Sequence, residues 1–125
     1  MNRFNDYVPF LFSSPSGREN VEWCNFWFDQ ANSTGLQQRI LLIGSSTQRK
    51  LRSLISKAYE CPVDLFASSA PLHDSMFACQ LDAFFMNDFK YDKIFVQVGC
   101  HNIIHDGGII HQRTTNVLKN ICTSL

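Results

Sequence analysis

Two adjacent serines, Ser45 and Ser46, follow an apolar run at residues 40–44. The run has the length and composition of a strand buried on both faces, and the segment after it has the apolar spacing of a helix. A hydroxyl at such a turn lies beside the unpaired backbone N–H groups at the start of the helix, which favour a developing oxyanion. Ser46 is therefore a candidate nucleophile for acyl transfer. A serine at this position also commonly caps a helix, and that structural role is the alternative.

A serine hydroxyl becomes a strong nucleophile only when an adjacent base takes its proton. The chain has four histidines. His73 and His111 begin predicted helices, where an exposed side chain is the ordinary outcome. His105 lies in a loop beside an aspartate, but adjacent residues seldom point the same way, so it is a weak candidate for the base. His101 follows the apolar run at residues 93–98, at the end of a predicted strand.

Strands and helices that must position these residues alternate along the chain. Apolar runs at residues 39–44, 62–67 and 93–98 predict short strands, and each is followed by a segment with helical spacing. This alternation favours right-handed crossovers, so we predict that the three strands are neighbours in a parallel sheet. The predicted fold class is α/β, a flavodoxin-like sheet with helices on both faces in three layers. Such a sheet usually has about five strands, so three strands leave it incomplete, and an uncovered edge favours self-association.

Four helices are predicted from apolar side chains at helical spacing. They lie within residues 18–32, 47–59, 71–88 and 111–125. Residues 1–17 are an irregular leader, so residues 18–125 hold the α/β domain. The apolar faces are, in chain order, Val21, Trp23, Cys24, Trp27, Phe28 and Ala31; Leu51, Leu54, Ile55 and Ala58; Met76, Phe77, Leu81, Phe84 and Phe85; and Thr114, Val117, Leu118, Ile121 and Cys122. We assign the phenylalanines of the third helix to core packing and not to an acyl pocket.

Composition disfavours several classes of function. The 125 residues include eleven basic and eleven acidic side chains with no run of like charge, so we expect neither nucleic acid nor a membrane as partner. No apolar segment is long enough to span a bilayer. The five cysteines are odd in number, lack metal-ligand spacing and lie mostly in apolar runs, which favours a reducing compartment. We expect a cytoplasmic protein with no cofactor and no metal.

Motifs at the three strand ends resemble those of a known family. The first apolar run ends in GSST at residues 44–47, the second is VDLFASS at residues 63–69, and the third extends from YD at residues 91–92 to GCHN at residues 99–102. In this order the motifs resemble the SGNH, or GDSL-like, hydrolases. The resemblance is to a variant branch with Gly-x-His in the third block, and residues 22–27 resemble the helix that precedes the first strand there.

The resemblance implies a serine hydrolase that cleaves an acyl ester, on a small molecule or on a carbohydrate. It places the nucleophile at Ser46 and oxyanion-hole donors at Ser69 and His101. Ser45 stands where the family usually has Asp, which makes it a rival for the role of nucleophile. Ser46, Ser69 and His101 are then expected to border one cleft. The alternatives are a polar turn at Ser68 and Ser69, and a loop histidine that bonds to backbone at position 101.

Members of this family close their site with an Asp-x-x-His block, which supplies the base and its orienting carboxylate. No Asp-x-x-His occurs in these 125 residues. We therefore expect residues 18–125 to be the N-terminal part of a single SGNH-like domain, and the chain to be a weak hydrolase. The alternative from a different class is a non-catalytic binding module that holds an anion such as phosphate at the turn of residues 44–47.

Overall fold

A computed structural model describes residues 21–33, 38–72, 74–97, 118–119 and 121–122. In these ranges the chain forms a mixed four-stranded sheet with helices, which places it in the α/β class. The strand order across the sheet is β1-β3-β2-β4. The elements in chain order are β1 (Cys24–Trp27), β2 (Ile40–Gly44), α1 (Ser46–Tyr59), β3 (Val63–Ser68), α2 (Ser75–Phe84) and β4 (Lys93–Val96).

β2 is the middle one of three parallel strands. Its first residue, Ile40, is level with Val63 of β3 on one side and with Lys93 of β4 on the other. All residues of β2 are buried, as a continuous apolar run requires of a strand covered on both faces. The prediction that the three apolar runs form neighbouring parallel strands is confirmed.

β1 occupies part of the segment, residues 18–32, that was predicted to be helical. It pairs antiparallel with β3, and Phe26 lies opposite Phe66 with 5.7 Å between the two ring centroids. The next residue, Trp27, lies on the face of the sheet that carries α1. Aromatic side chains favour strands, and pairing with β3 outweighs the helical spacing of the same residues. The helix prediction is wrong here, the sheet is mixed and not all-parallel, and the helix at residues 22–27 no longer supports the family resemblance.

Alternate residues of β2 and β3 belong to two apolar clusters, because successive side chains of a strand point to opposite faces of the sheet. The α2-side cluster is Leu41, Ile43, Phe66, Ala70, Leu72, Phe77, Ala78, Leu81, Phe84, Phe85 and Ile121. The α1-side cluster is Ile40, Leu42, Val63, Leu65 and Ala67, with Trp23, Ile55 and Cys61 packed against it. Each helix therefore contributes to a different cluster.

α1 buries a different face from the one that its apolar spacing predicts. Leu51, Leu54 and Ala58 are exposed, Leu54 by 60%, whereas Ile55 packs against the sheet. The buried residue of α1 is Gln48, whose side-chain amide donates a hydrogen bond to a glutamine that follows β4. Polar contacts that connect distant parts of the chain thus set the orientation of α1, and apolar spacing carries no information about them.

α2 covers the centre of the helix predicted at residues 71–88. It begins after Asp74, whose carboxylate accepts a hydrogen bond of 2.9 Å from the Met76 N–H and so caps the helix. The predicted packing of its aromatic residues is confirmed, since they lie in the α2-side cluster. The buried side chains of this segment are Phe77, Ala78, Leu81, Phe84 and Phe85.

Several sequence predictions concern residues outside the described ranges. These are the leader at residues 1–17, the third strand end at residues 98–102 and most of the helix at residues 111–125. Of that helix, residues 118–119 and 121–122 are described and are helical. Of the predicted apolar face of that helix, Ile121 is buried in the α2-side cluster as predicted, whereas Leu118 and Cys122 are exposed.

Gly44 ends β2 where the chain after β4 approaches closely. A Cβ atom at this position would lie 2.8 Å from the Gln97 backbone oxygen, which is nearer than real Cβ contacts. Gly44→Ala is therefore expected to lower the free energy of unfolding by about 1–3 kcal/mol through overpacking. Chemical denaturation followed by circular dichroism measures the change. The control is Ser46→Ala, on the exposed surface two residues later, for which we expect a change within about 0.5 kcal/mol. Equal stability of Gly44→Ala and the native chain would contradict the close approach.

Candidate active site

The candidate nucleophile lies at the carboxyl end of β2. Ser46 is the first residue of α1 and is exposed, and its side chain forms no hydrogen bond with a described residue. Ser45 is the N-cap residue and is buried, but its side chain does not cap the helix. Its backbone oxygen accepts a hydrogen bond of 3.0 Å from the Gln48 N–H. Ser46 therefore has an accessible hydroxyl at the positive end of the α1 dipole, where a developing oxyanion is favoured.

Ser46 opens onto a cavity of about 510 Å³ between α1 and β1, which we call the basic groove. Serine and cationic side chains from α1 form one wall, and residues of β1 form the other. The groove is lined by Asn25, Trp27, Ser46, Arg49, Lys50, Arg52, Ser53 and Leu65. The candidate nucleophile thus borders a space large enough for a small ester.

Ser69, predicted as an oxyanion-hole donor, connects β3 to the segment before β1. Its backbone N–H donates to the Trp23 oxygen over 3.1 Å, and its hydroxyl donates to the Glu22 carboxylate over 2.7 Å. The Trp23 N–H in turn donates to the Ser69 hydroxyl over 2.9 Å. Ser69 is fully buried and does not line the basic groove. In this structure the Ser69 N–H therefore donates to a backbone oxygen. Of the two predicted site residues Ser46 and Ser69, it is Ser46 that lines the basic groove.

Neighbouring strand ends carry further polar contacts. The Ser68 hydroxyl donates to Gln80 of α2 over 2.6 Å and accepts from the Ala70 N–H over 3.1 Å, which makes the polar turn that was the alternative for this segment. After β4, the Gln97 side chain accepts from Gln48 over 2.5 Å. The predicted oxyanion donor His101 and the other three histidines lie outside the described residues. Sequence reasoning gave no role to Glu22 or Gln97, although both lie in segments quoted for the family resemblance, because their partners are 47 and 49 residues away in the chain.

A buried polar network lies at the amino ends of the parallel strands, away from Ser46. Asp64 is fully buried in β3, and its carboxylate pairs with the Arg39 guanidinium over 2.6 Å. The same carboxylate accepts from the Tyr91 hydroxyl over 2.6 Å and from the Asp29 N–H over 2.9 Å. Asp92, the neighbour of Tyr91, accepts from the Arg39 N–H over 2.9 Å. Asp64, Tyr91 and Asp92, quoted above for the family resemblance, therefore connect strands in this structure.

Burial has the largest effect on the pKa values of Asp64 and Tyr91 in this network. It raises the pKa of the Asp64 carboxyl, against the lowering effects of the Tyr91 and Asp29 hydrogen bonds and the Arg39 charge. Burial also raises the pKa of the Tyr91 phenol far above its ordinary value of 10, and the hydrogen bond and charge of Asp64 act in the same direction. Above pH 10 the native state therefore keeps the Tyr91 proton, whereas the unfolded chain loses it.

This difference predicts a loss of stability in alkali. Above pH 10 the unfolded chain loses the Tyr91 proton and the native state keeps it, so the free energy of unfolding falls by up to about 1.4 kcal/mol per pH unit. Below pH 10 the contribution is fully present. Tyr91→Phe removes the effect, so its stability is expected to fall less steeply between pH 10 and pH 11.5 in urea titrations. Tyr59→Phe, at an exposed tyrosine of α1, is the control. Parallel curves for the native chain and Tyr91→Phe would contradict the prediction.

Asp29 forms a second set of contacts, between the β1 end and α1. Its carboxylate lies 3.3 Å from the Arg52 guanidinium and accepts from the Val63 N–H over 3.2 Å. Arg52 also donates to the Val63 backbone oxygen over 3.2 Å. These contacts hold α1 against the amino end of β3 and fix the position of Arg52, which lines the basic groove.

Metal and thiol chemistry have no assembled site in the described part of the chain. No group of three or more His, Cys, Asp or Glu side chains within those ranges is arranged to hold a metal ion. Cys24, Cys61 and Cys122 are free thiols, and burial raises the pKa of Cys24 to about 11, which keeps it protonated at neutral pH. Among the described residues, no helix is long and apolar enough to cross a membrane.

Comparison with known proteins adds no family assignment. No protein-family model matches the chain, and no curated protein matches it. The functional argument therefore starts from the geometry of Ser46 and the basic groove.

Proposed function

We propose that this chain is an SGNH-type serine hydrolase that acts on an acyl ester of a small molecule or a carbohydrate, with Ser46 as nucleophile. One observation carries the proposal: Ser46 is an exposed first helical residue after a buried parallel strand, and it borders a cavity. Attack on an ester carbonyl there places the oxyanion near the N–H groups of Ser46 and Thr47, at the start of α1. Within this proposal the sheet is the flavodoxin-like, three-layer frame of the family, and the protein is cytoplasmic.

Acylation proceeds without a metal ion or cofactor in this scheme. The Ser46 oxygen bonds to the carbonyl carbon of the ester, the alcohol leaves with the proton of the serine hydroxyl, and an acyl-Ser46 ester remains. Water then attacks this ester and releases the carboxylic acid and Ser46. A base that takes the serine proton would lie outside the described residues, which include none of the four histidines.

A covalent-labelling experiment tests the role of Ser46. The purified chain is treated with 4-nitrophenyl acetate, and acetylated peptides are located by mass spectrometry. Ser53 is the internal control, because it is exposed, lines the same groove and lies in the middle of α1, away from the helix N-terminus. We expect Ser46 to be acetylated about 100-fold faster than Ser53, the size of effect given by one oxyanion donor.

Hydroxylamine distinguishes an ester on serine from an amide on a neighbouring lysine, because it releases only the ester. Acetyl groups found mainly on Lys50, or at equal rates on Ser46 and Ser53, would contradict the proposal. Labelling of Ser45 in place of Ser46 would keep the hydrolase assignment and transfer the nucleophile to its buried neighbour.

The second candidate is the non-catalytic module that holds an anion at the turn of residues 44–47. The observation that favours it is the cationic lining of the cavity beside Ser46. A protein of this class would bind phosphate and show no preferential acylation of Ser46, so the same experiment separates the two functions.

A further inference from the structure

The basic groove carries charge that acylation of Ser46 does not need. Its lining includes three cationic side chains, Arg49, Lys50 and Arg52, and no carboxylate. The chain as a whole has a formal net charge of zero, so this is a local concentration of positive charge and not a general property of the surface. A cleft lined by charges of one sign attracts and orients ligands of the opposite sign.

Two of these cations remain available to a ligand. Arg52 pairs with Asp29 over 3.3 Å, which leaves little of its charge uncompensated. Arg49 and Lys50 are exposed and form no ion pair with any residue in the described ranges. The charge that a ligand meets in the groove is therefore mainly that of Arg49 and Lys50.

Aromatic rings hold the two arginines in place. The Arg49 guanidinium lies 5.0 Å from the centre of the Trp23 ring, and that of Arg52 lies 4.5 Å from the centre of the Trp27 ring. A guanidinium over an aromatic face is restrained while the N–H groups at its edge stay free to bind planar anions such as a carboxylate. Less side-chain entropy is then lost when a ligand binds.

The available cations lie on the same face of α1 as Ser46. Positions 49, 50 and 53 lie three, four and seven residues after Ser46, a spacing that places side chains on one face of a helix. One helical turn of about 5.4 Å separates Ser46 from the two cations. No acidic side chain occupies the first turn of α1, so the helix dipole adds to their field. An anion held by Arg49 and Lys50 would therefore sit about one turn from the reacting hydroxyl.

We propose that the basic groove binds an anionic group of the substrate, a carboxylate, phosphate or sulfate, through Arg49 and Lys50. The substrate class is then an acyl ester with a negative charge about one helical turn from the ester bond. This substrate class rests on the proposed hydrolase function, whereas the anion site itself does not.

Inorganic phosphate tests the anion site without any reaction. Isothermal titration calorimetry is expected to show saturable binding to the native chain, weakened about tenfold in Arg49→Gln/Lys50→Gln. Lys57→Gln/Lys90→Gln removes the same charge from exposed positions outside the groove and is expected to bind like the native chain. Added sodium chloride should weaken the interaction. No saturable binding, or equal weakening in both double variants, would overturn the proposal.

Acylation tests the substrate class. The rate of Ser46 acetylation by 4-acetoxybenzoate, relative to that by the neutral phenyl acetate, is measured in the native chain and in both double variants. We expect this ratio to fall about tenfold in Arg49→Gln/Lys50→Gln and to be unchanged in Lys57→Gln/Lys90→Gln. An unchanged ratio in both would overturn the anionic substrate class. Phosphate binding that requires Arg49 and Lys50, without acylation of Ser46 by either ester, would keep the anion site and refute the hydrolase function.

Discussion

Asp64→Ala is expected to lower the free energy of unfolding by about 3–5 kcal/mol, because it leaves a buried guanidinium without its counter-ion. The Asp64 carboxylate and the Arg39 guanidinium are both almost fully buried and lie 2.6 Å apart. The substitution also removes the acceptor for the Tyr91 hydroxyl and the Asp29 N–H. Arg39 keeps a hydrogen bond of 2.8 Å to the Asp29 backbone oxygen and a position 3.8 Å from the Phe89 ring centre, but neither neutralises its charge.

Equilibrium urea unfolding at neutral pH measures this loss. The matched control is Asp88→Ala, which removes an exposed carboxylate and is expected to change stability by less than about 0.5 kcal/mol. Tyr91→Phe removes one hydrogen bond of the network and is expected to cost about 1–2 kcal/mol at neutral pH. A loss in Asp64→Ala no greater than that in Asp88→Ala would show that the ion pair does not stabilise this fold.

The strands and helices that the sequence predicts well are those with a single strong pattern. A continuous apolar run bounded by polar residues left little choice for β2, and short apolar stretches, each followed by helical spacing, indicated β3 and β4. Their parallel arrangement followed from the alternation with helices. β1 was missed because Trp23, Trp27 and Phe28 satisfy helical spacing as well as strand propensity. Only the partner strand decides between them, and that partner lies about 40 residues later in the chain.

Long-range polar contacts explain the other differences between the sequence predictions and the structure. The buried face of α1 depends on Gln48 meeting Gln97, which are 49 residues apart, and on Arg52 reaching Asp29. Ser69 bonds to Trp23 across 46 residues, a contact that no local pattern encodes. The position of Ser46 was predictable because it depends only on the adjacent strand and helix. The groove beside it was not, since it needed β1 in its strand form.

Hydrolysis of 4-nitrophenyl acetate is expected to give a burst of about one equivalent of nitrophenolate per chain, followed by slow turnover. Both steps are slow without a base. Acylation of Ser46 by this activated ester is still the faster step, because nitrophenolate is a good leaving group and the helix N-terminus stabilises the oxyanion, whereas deacylation needs a base to activate water. In the described ranges no imidazole or carboxylate contacts the Ser46 hydroxyl, and no Asp-x-x-His occurs in the sequence. Loss of one triad member lowers the rate of such enzymes by on the order of 10⁴-fold or more. The rate of the slow phase should therefore be lower, by the same factor, than that of an enzyme with a complete triad.

Absorbance of nitrophenolate under single-turnover and steady-state conditions separates the two phases, with Ser46→Ala and His105→Ala as variants. We expect Ser46→Ala to abolish the burst and His105→Ala to leave it unchanged. Fast steady turnover that Ser46→Ala abolishes would show that a histidine of this chain acts as base. If His105→Ala abolished it too, and the double variant were no slower than either single one, the base would be His105, because residues of one catalytic unit are not additive. Turnover that does not depend on Ser46 would instead favour the anion-binding module.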